Sequence, residues 1–98
     1  MEIKQPVVTG TLESSDVQVS IHPNNEPKLE IELKSIVKSQ FGDAILQTVK
    51  EVLEAFEIKS AIVSINDKGA LDWVIRARVQ AACCRATESP FRWEGEDQ

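Results

Sequence analysis

Little in this chain of 98 residues looks like reaction chemistry. Cysteine is confined to Cys83 and Cys84, neighbours that would point about 100° apart on a helix. No further cysteine supplies a disulfide framework or a zinc-ligand spacing. Both read as small helix residues, buried or half-buried. His22 is the only histidine. It precedes Pro23, which favours an extended backbone, and it has no partner placed to share a metal. Nucleophile-elbow, phosphate-loop and dinucleotide fingerprints are absent. Asp43, Asp67 and Asp72 lie near helix starts. They fit capping and dipole roles better than the facing carboxylates of a hydrolase.

Positive charge is also scarce. A formal net charge of −5 lacks the cationic footprint that displaces counterions from nucleic-acid phosphates, and it disfavours an anionic membrane surface. No apolar run approaches the ~20 residues that span a bilayer. The opening Met1-Glu2-Ile3-Lys4-Gln5-Pro6 has no apolar signal core. A cytoplasmic protein with neither nucleic acid nor membrane as a partner is the expectation.

What is present is ordinary globular patterning, with a hydrophobic fraction of 42%. The length indicates one domain over residues 1–98, burying roughly 60–70% of its unfolded surface. Residues 6–12 and 16–21 form two strand-like runs. In the second, Val17, Val19 and Ile21 alternate with Gln18 and Ser20. Leu29, Ile31 and Leu33 alternate with Glu30 and Glu32 in a third strand. The loop His22-Pro23-Asn24-Asn25-Glu26-Pro27 separates the second run from the third. An antiparallel meander of these three strands is expected.

A helical stripe then runs through Ile36, Val37, Phe41, Ala44, Ile45, Val49, Val52, Leu53 and Phe56. Ser35 is a candidate N-cap, and Gly42 marks a bend or a later start. Residues 61–65 read as a fourth strand and Asn66-Asp67-Lys68-Gly69 as a turn. Residues 70–86 read as a second helix, with Leu71, Val74, Ile75 and Val79 inward. The fold class is therefore α+β in the order βββαβα, with two amphipathic helices on one face of the sheet. The tail from about residue 88, with Phe91 and Trp93, is expected to be loosely ordered.

Arg76, Arg78, Arg85 and Arg92 all lie in the C-terminal quarter. Their planar forks suit phosphates or carboxylates, although a solvated helix face is the simpler account of them. The remaining feature is the polar break Gly10-Thr11-Leu12-Glu13-Ser14-Ser15-Asp16 between the first two strands. A hairpin tip of this kind holds two hydroxyls out in water, where another enzyme can reach them. On residue type alone, such serines are ordinarily turn formers.

That break resembles the modification site of the citrate lyase acyl carrier protein family, the gamma chain of citrate lyase. So do Gln40-Phe41-Gly42-Asp43-Ala44-Ile45, and Asp67-Lys68-Gly69-Ala70-Leu71-Asp72 followed by Arg76-Ala77-Arg78. The opening Ile3-Lys4-Gln5-Pro6-Val7 is similar as well, and the likeness runs to about Ala86. It implies that Ser14 is joined by a phosphodiester to 2'-(5''-phosphoribosyl)-3'-dephospho-coenzyme A, whose thiol bears acetyl and citryl groups while citrate is cleaved to acetate and oxaloacetate. Ser15 would carry no attachment. Glu13, Ser15 and Asp16 would flank the attachment point and help the installing enzyme recognise it. The implied partners are the alpha transferase and beta lyase subunits, a prosthetic-group transferase and a thiol-acetylating ligase.

The family differs from acyl carriers that place Asp-Ser-Leu at a helix start, a motif this chain lacks. No catalytic residue and no metal ligand is implied, because the cofactor carries the chemistry and the protein delivers it. Two other readings stand beside this one: a carrier for a malonate decarboxylase-type complex, and a non-catalytic adaptor that only bridges subunits.

Overall fold

The computed structural model describes residues 1–89. The expectations for Phe91, Arg92 and Trp93 lie outside the described residues. Elements follow in the order β1 (Val7–Gly10), β2 (Val17–His22), β3 (Leu29–Ser35), α1 (Lys38–Ala55), β4 (Ala61–Asp67) and α2 (Asp72–Thr87). This is the expected βββαβα, with both helices packed against one four-stranded sheet.

The sheet is not the meander read from the sequence. Its order is β1-β2-β4-β3. β4 inserts between β2 and β3, antiparallel to β2 and parallel to β3. Burial explains the choice. Ala61, Val63 and Ile65 on β4 are almost completely buried, as are Val17, Val19 and Ile21 on β2. The two strands with the most continuous apolar face thus take the centre. β3 exposes Glu30, Glu32 and Lys34 and leaves Ile31 half-buried, which suits an edge. A parallel β3–β4 pair needs a crossover connection, and α1 supplies it.

One apolar core joins the layers. Ile45, Val49, Val52 and Leu53 of α1 and Ile75, Val79 and Ala82 of α2 close over the inner face of the sheet. Each large aliphatic side chain buried there contributes roughly 1.5–3 kcal/mol. Near the N-terminus, Ile3 joins the core. Lys4 N–H donates to Ala86 O at 2.7 Å, and Gln5 Nε2 donates to Arg85 O at 3.0 Å. The first satisfies a carbonyl in the last turn of α2, and the second adds a donor to a carbonyl that also accepts from Glu88 N–H.

Helix boundaries and faces differ from the sequence reading in detail. Ser35 is not the N-cap. α1 begins at Lys38, with Val37 in the capping position and no side-chain cap. Ser35 Oγ instead accepts from Val37 N–H and donates to Asp67. Gly42 makes no break. It is buried inside α1, where an added Cβ would lie 3.2 Å from Lys38 Cγ and 3.9 Å from Leu33 Cδ2. Ile36, Phe41 and Leu71, expected inside, are exposed. Ile36 precedes α1, and Leu71 is the N-cap residue of α2 rather than part of its inner face. β1 stops at Gly10, short of Leu12, and β4 runs on to Asp67.

Candidate functional site

Strand register gathers several chain reversals at one end of the molecule. Gly10 pairs with Gln18, Val17 with Asp67, and Ser35 with Asp67. The β1–β2 tip, the β4–α2 turn and the β3–α1 junction therefore lie together. Asp67, fully buried, ties two of them. One carboxylate oxygen accepts from Ser35 Oγ at 2.7 Å and the other from Ala70 N–H at 2.9 Å.

The tip starts at Gly10, whose φ of 79° lies in the left-handed region. Only glycine fits there, since an added Cβ would meet Val17 O at 1.8 Å. Farther on, Asp16 N–H donates to Glu13 O at 3.1 Å, closing a turn with Ser14 and Ser15 at its centre. Ser15 carries the positive φ, 66°, which costs a non-glycine residue roughly 1–2 kcal/mol. Its N–H is held by Lys68 O at 2.8 Å, and Lys68 N–H donates to Asp16 O at 2.9 Å. The tip therefore leans on the β4–α2 turn through two backbone bonds.

Asp16 is the polar centre of the tip. One of its oxygens accepts from Val17 N–H at 2.7 Å and Arg78 Nε at 3.1 Å. The other accepts from Thr11 Oγ1 at 2.7 Å and Arg78 Nη2 at 2.9 Å. Thr11 Oγ1 also accepts from Glu13 N–H at 3.2 Å. The Asp16 side chain keeps only 15% of its surface exposed. The Arg78 fork, followed by the Thr11 hydroxyl and the Val17 amide, lowers its pKa to about 2. Arg78 is anchored in turn, because its own carbonyl accepts from Thr9 Oγ1 at 2.8 Å. A two-bond arginine–carboxylate fork fixes orientation as well as distance, so α2 holds the base of the tip in one pose.

The residues singled out in the sequence divide accordingly. Ser14, Ser15 and Glu13 are exposed, whereas the Asp16 carboxylate is engaged from within. Among the described residues, the Ser14 hydroxyl makes no hydrogen bond. Arg76 pairs with Glu51 at 2.9 Å. Asp72 accepts from Thr48 Oγ1 in the first turn of α2. His22 stands exposed at the end of β2, where Ile62 is its pairing partner. Among the described residues, no three His, Cys, Asp or Glu side chains are grouped to hold a metal ion. No described helix is long and apolar enough to cross a membrane. The Asp16–Arg78 pair was not legible in the sequence. Its members lie 62 residues apart, and only packing of α2 against β1 and β2 joins them.

Comparison with known proteins decides what this tip belongs to. Residues 4–86 match the family model described as the malonate decarboxylase delta subunit (MdcD), an acyl carrier family. A citrate lyase acyl carrier protein of Clostridium perfringens is 51% identical over 95% of this chain and 93% of its own. One of Vibrio cholerae is 56% identical over 90% of each chain. The citrate lyase acyl carrier protein 2 of Salmonella typhimurium is 52% identical over 95% and 97%. This chain belongs to the citrate lyase acyl carrier protein family. It is a non-catalytic carrier subunit.

A chain in the crystal structure of a Pseudomonas malonate decarboxylase hetero-tetramer in complex with malonate shares the fold. Its TM-score is 0.72 at 20% identity, with 88% of this chain and 92% of that one covered. Within the carrier family, neither cysteine here is placed for thiol chemistry at the tip. Cys83 is buried in α2, and desolvation, with Cys84 beside it, pushes its thiol up to about 12.

Proposed function

We propose that the protein is the acyl carrier subunit of citrate lyase and that Ser14 Oγ is its point of attachment. The observation that supports this is the exposed, unbonded Ser14 hydroxyl, raised on a turn whose base is fixed by Asp16 and Arg78. A phosphodiester to 2'-(5''-phosphoribosyl)-3'-dephospho-coenzyme A fits this position. The site needs a primary hydroxyl free of internal bonds. It gains from a nearby cation, and Arg78 keeps 41% of its side chain exposed beside the tip. When bound, the group supplies a thiol that carries the acetyl and citryl thioesters.

The protein's own residues do three things. Ser14 anchors the group. The Asp16–Arg78 fork and the Ser15–Lys68 backbone bond orient the anchor. Glu13 and Ser15, exposed on either side, present the tip to the installing transferase. The alpha and beta subunits of citrate lyase would act on the tethered acyl group, and a separate ligase would acetylate its thiol. Tethering raises the effective concentration of cargo at each of those sites to about millimolar.

Intact mass spectrometry with peptide mapping of the protein from its native host tests the assignment. The expected result is added mass on the peptide containing Ser14, and an unmodified Ser14 in an active complex would refute it. Ser14→Ala should abolish citrate cleavage by the reconstituted complex and leave the melting temperature unchanged. A merely bridging adaptor would keep its activity.

The family model and the shared fold favour a second reading, a carrier for a malonate decarboxylase-type complex. The much higher identity to citrate lyase carriers favours the first. Assaying the reconstituted complex with citrate and with malonate separates the two.

A further inference from the structure

Both helices cover one face of the sheet. On the other face the alternate residues of all four strands stand open, none of them fully buried. Strand register lines up part of this open face with the tip. Gly10 pairs with Gln18, Gln18 with Asn66, and Asn66 with Lys34. Gly10 opens the tip, so this is the outward-facing row nearest Ser14. Neighbouring strands lie about 4.8 Å apart, which places Lys34 roughly 14 Å from Gly10 along the row. Gln18 and Asn66 are half-buried and Lys34 is exposed. Among the described residues, these three side chains make no hydrogen bond or ion pair.

Each of the three has a chemical match in the group assigned to Ser14. Glutamine and asparagine amides donate and accept at once, which suits the edge of adenine. A lysine ammonium holds phosphate as a point charge. The order matches as well. Outward from Ser14 the group runs through a phosphodiester and its ribose, then adenosine, then a diphosphate. Outward from the tip the row runs through Gln18 and Asn66, then Lys34. In the next row, Ser20 and Ser64 are short and leave room over the centre of the sheet for a planar ring. Val8, 54% exposed and paired with Ser20, offers that ring an apolar contact. Farther back along β3, Glu32 and Glu30 point out in place of Lys34 and repel a diphosphate. The match is thereby confined to the tip end of the face.

We propose that Gln18, Asn66 and Lys34 form a resting site for the nucleotide part of the tethered group, the two amides holding the adenine edge and Lys34 the diphosphate. The contact is intramolecular, so the local concentration of the nucleotide is about millimolar and an equally weak intrinsic affinity is enough for half occupancy. A site this weak holds the nucleotide against the sheet between deliveries and releases it readily to an enzyme subunit. The inference rests on the carrier reading and adds a second contact for the same group.

Comparing amide NMR spectra of the carrier before and after loading by its native transferase tests this without any activity assay. Loading should shift the backbone signal of Lys34 and the side-chain amide signals of Gln18 and Asn66. Adenine protons should show nuclear Overhauser contacts to the Asn66 side chain. Lys34→Glu, on an exposed edge position, and separately Asn66→Ala should at least halve the shifts at the other two residues of the row. The melting temperature of Lys34→Glu should not change. Lys50→Glu, exposed on α1, should leave all the shifts in place.

The proposal fails if loading shifts only residues 10–17 and 67–70, which surround the attachment point. It also fails if the shifts fall on α1 or α2 instead, or if Lys34→Glu and Asn66→Ala both leave them intact. Failure of the Ser14 assignment is distinct, because peptide mapping of the same loaded sample reads it directly. A group found on Ser14 beside an unshifted row overturns the resting site alone, whereas a group found on another residue overturns both.

Discussion

Two connections leave β2, one at each end, and they are fastened by different physics. The tip over residues 11–16 is held by a charged fork from another layer, by a threonine hydroxyl and by two backbone bonds to the β4–α2 turn. The loop over residues 23–28 is held by local, solvent-exposed contacts. Asn24 Nδ2 donates to Lys28 O at 3.1 Å and to Glu30 at 2.9 Å. Ser60 Oγ donates to Glu26 O at 2.7 Å. The ion pair of Lys28 with Glu26 at 3.5 Å is exposed on both sides. Pro23 and Pro27 restrict the loop further through their fixed φ. Proline and local amide bonds are enough for a connection that only reverses the chain. A connection that must hold one hydroxyl outward in a set pose is braced instead by the helix beneath it.

Breaking the brace should cost more than breaking the loop, and substitutions can be ranked on that basis. Gly10→Val is the most severe, because its Cβ would overlap Val17 O in a backbone conformation that valine avoids. A loss of about 3 kcal/mol is expected, lowering the thermal midpoint by more than about 10 °C.

Asp16→Asn comes next. The Asp16 pKa is lowered from 3.8 to about 2 in the fold. Its ionised form therefore adds about 2 kcal/mol of stability. That contribution is complete above about pH 5 and is lost progressively as the pH falls through about 4 to about 2. Asp16→Asn should remove this acid-dependent arm from urea unfolding measured across that range. Arg78→Ala should remove most of it too, and the double variant should be less destabilised than the sum. Additive losses would show that the fork carries no coupling.

At the other end of β2, Asn24→Ala should cost about 1 kcal/mol at neutral pH. Glu26→Gln, which removes only an exposed pair, should shift stability by less than about 0.5 kcal/mol. If the loop variants matched Asp16→Asn, the distinction between the two ends would not hold.

The strands, the helices and their order could be read along the chain, because period-two alternation in β2 and β3 and the stripe in α1 are local signals. The tip could be read as well, because Gly10, Ser14 and Ser15 stand between two apolar runs. Strand pairing could not. Val17, Val19 and Ile21 are compatible with either β3 or β4 as a neighbour, and the more deeply buried strand took the place. Exposure of Phe41 and Leu71 was also invisible, because an apolar stripe does not say which of its members lies past the edge of the opposing layer.

Sequence alone therefore determined the element order, the acidic charge that disfavours nucleic acid, and the exposed serine at a hairpin tip. Each follows from residue type and short-range spacing. Tertiary structure alone decided that β4 lies between β2 and β3, that Arg78 closes on Asp16, and that Gln18, Asn66 and Lys34 line up beside the tip. Those features join residues tens of positions apart, and their energies arise only when helix and sheet remove each other's surfaces from water.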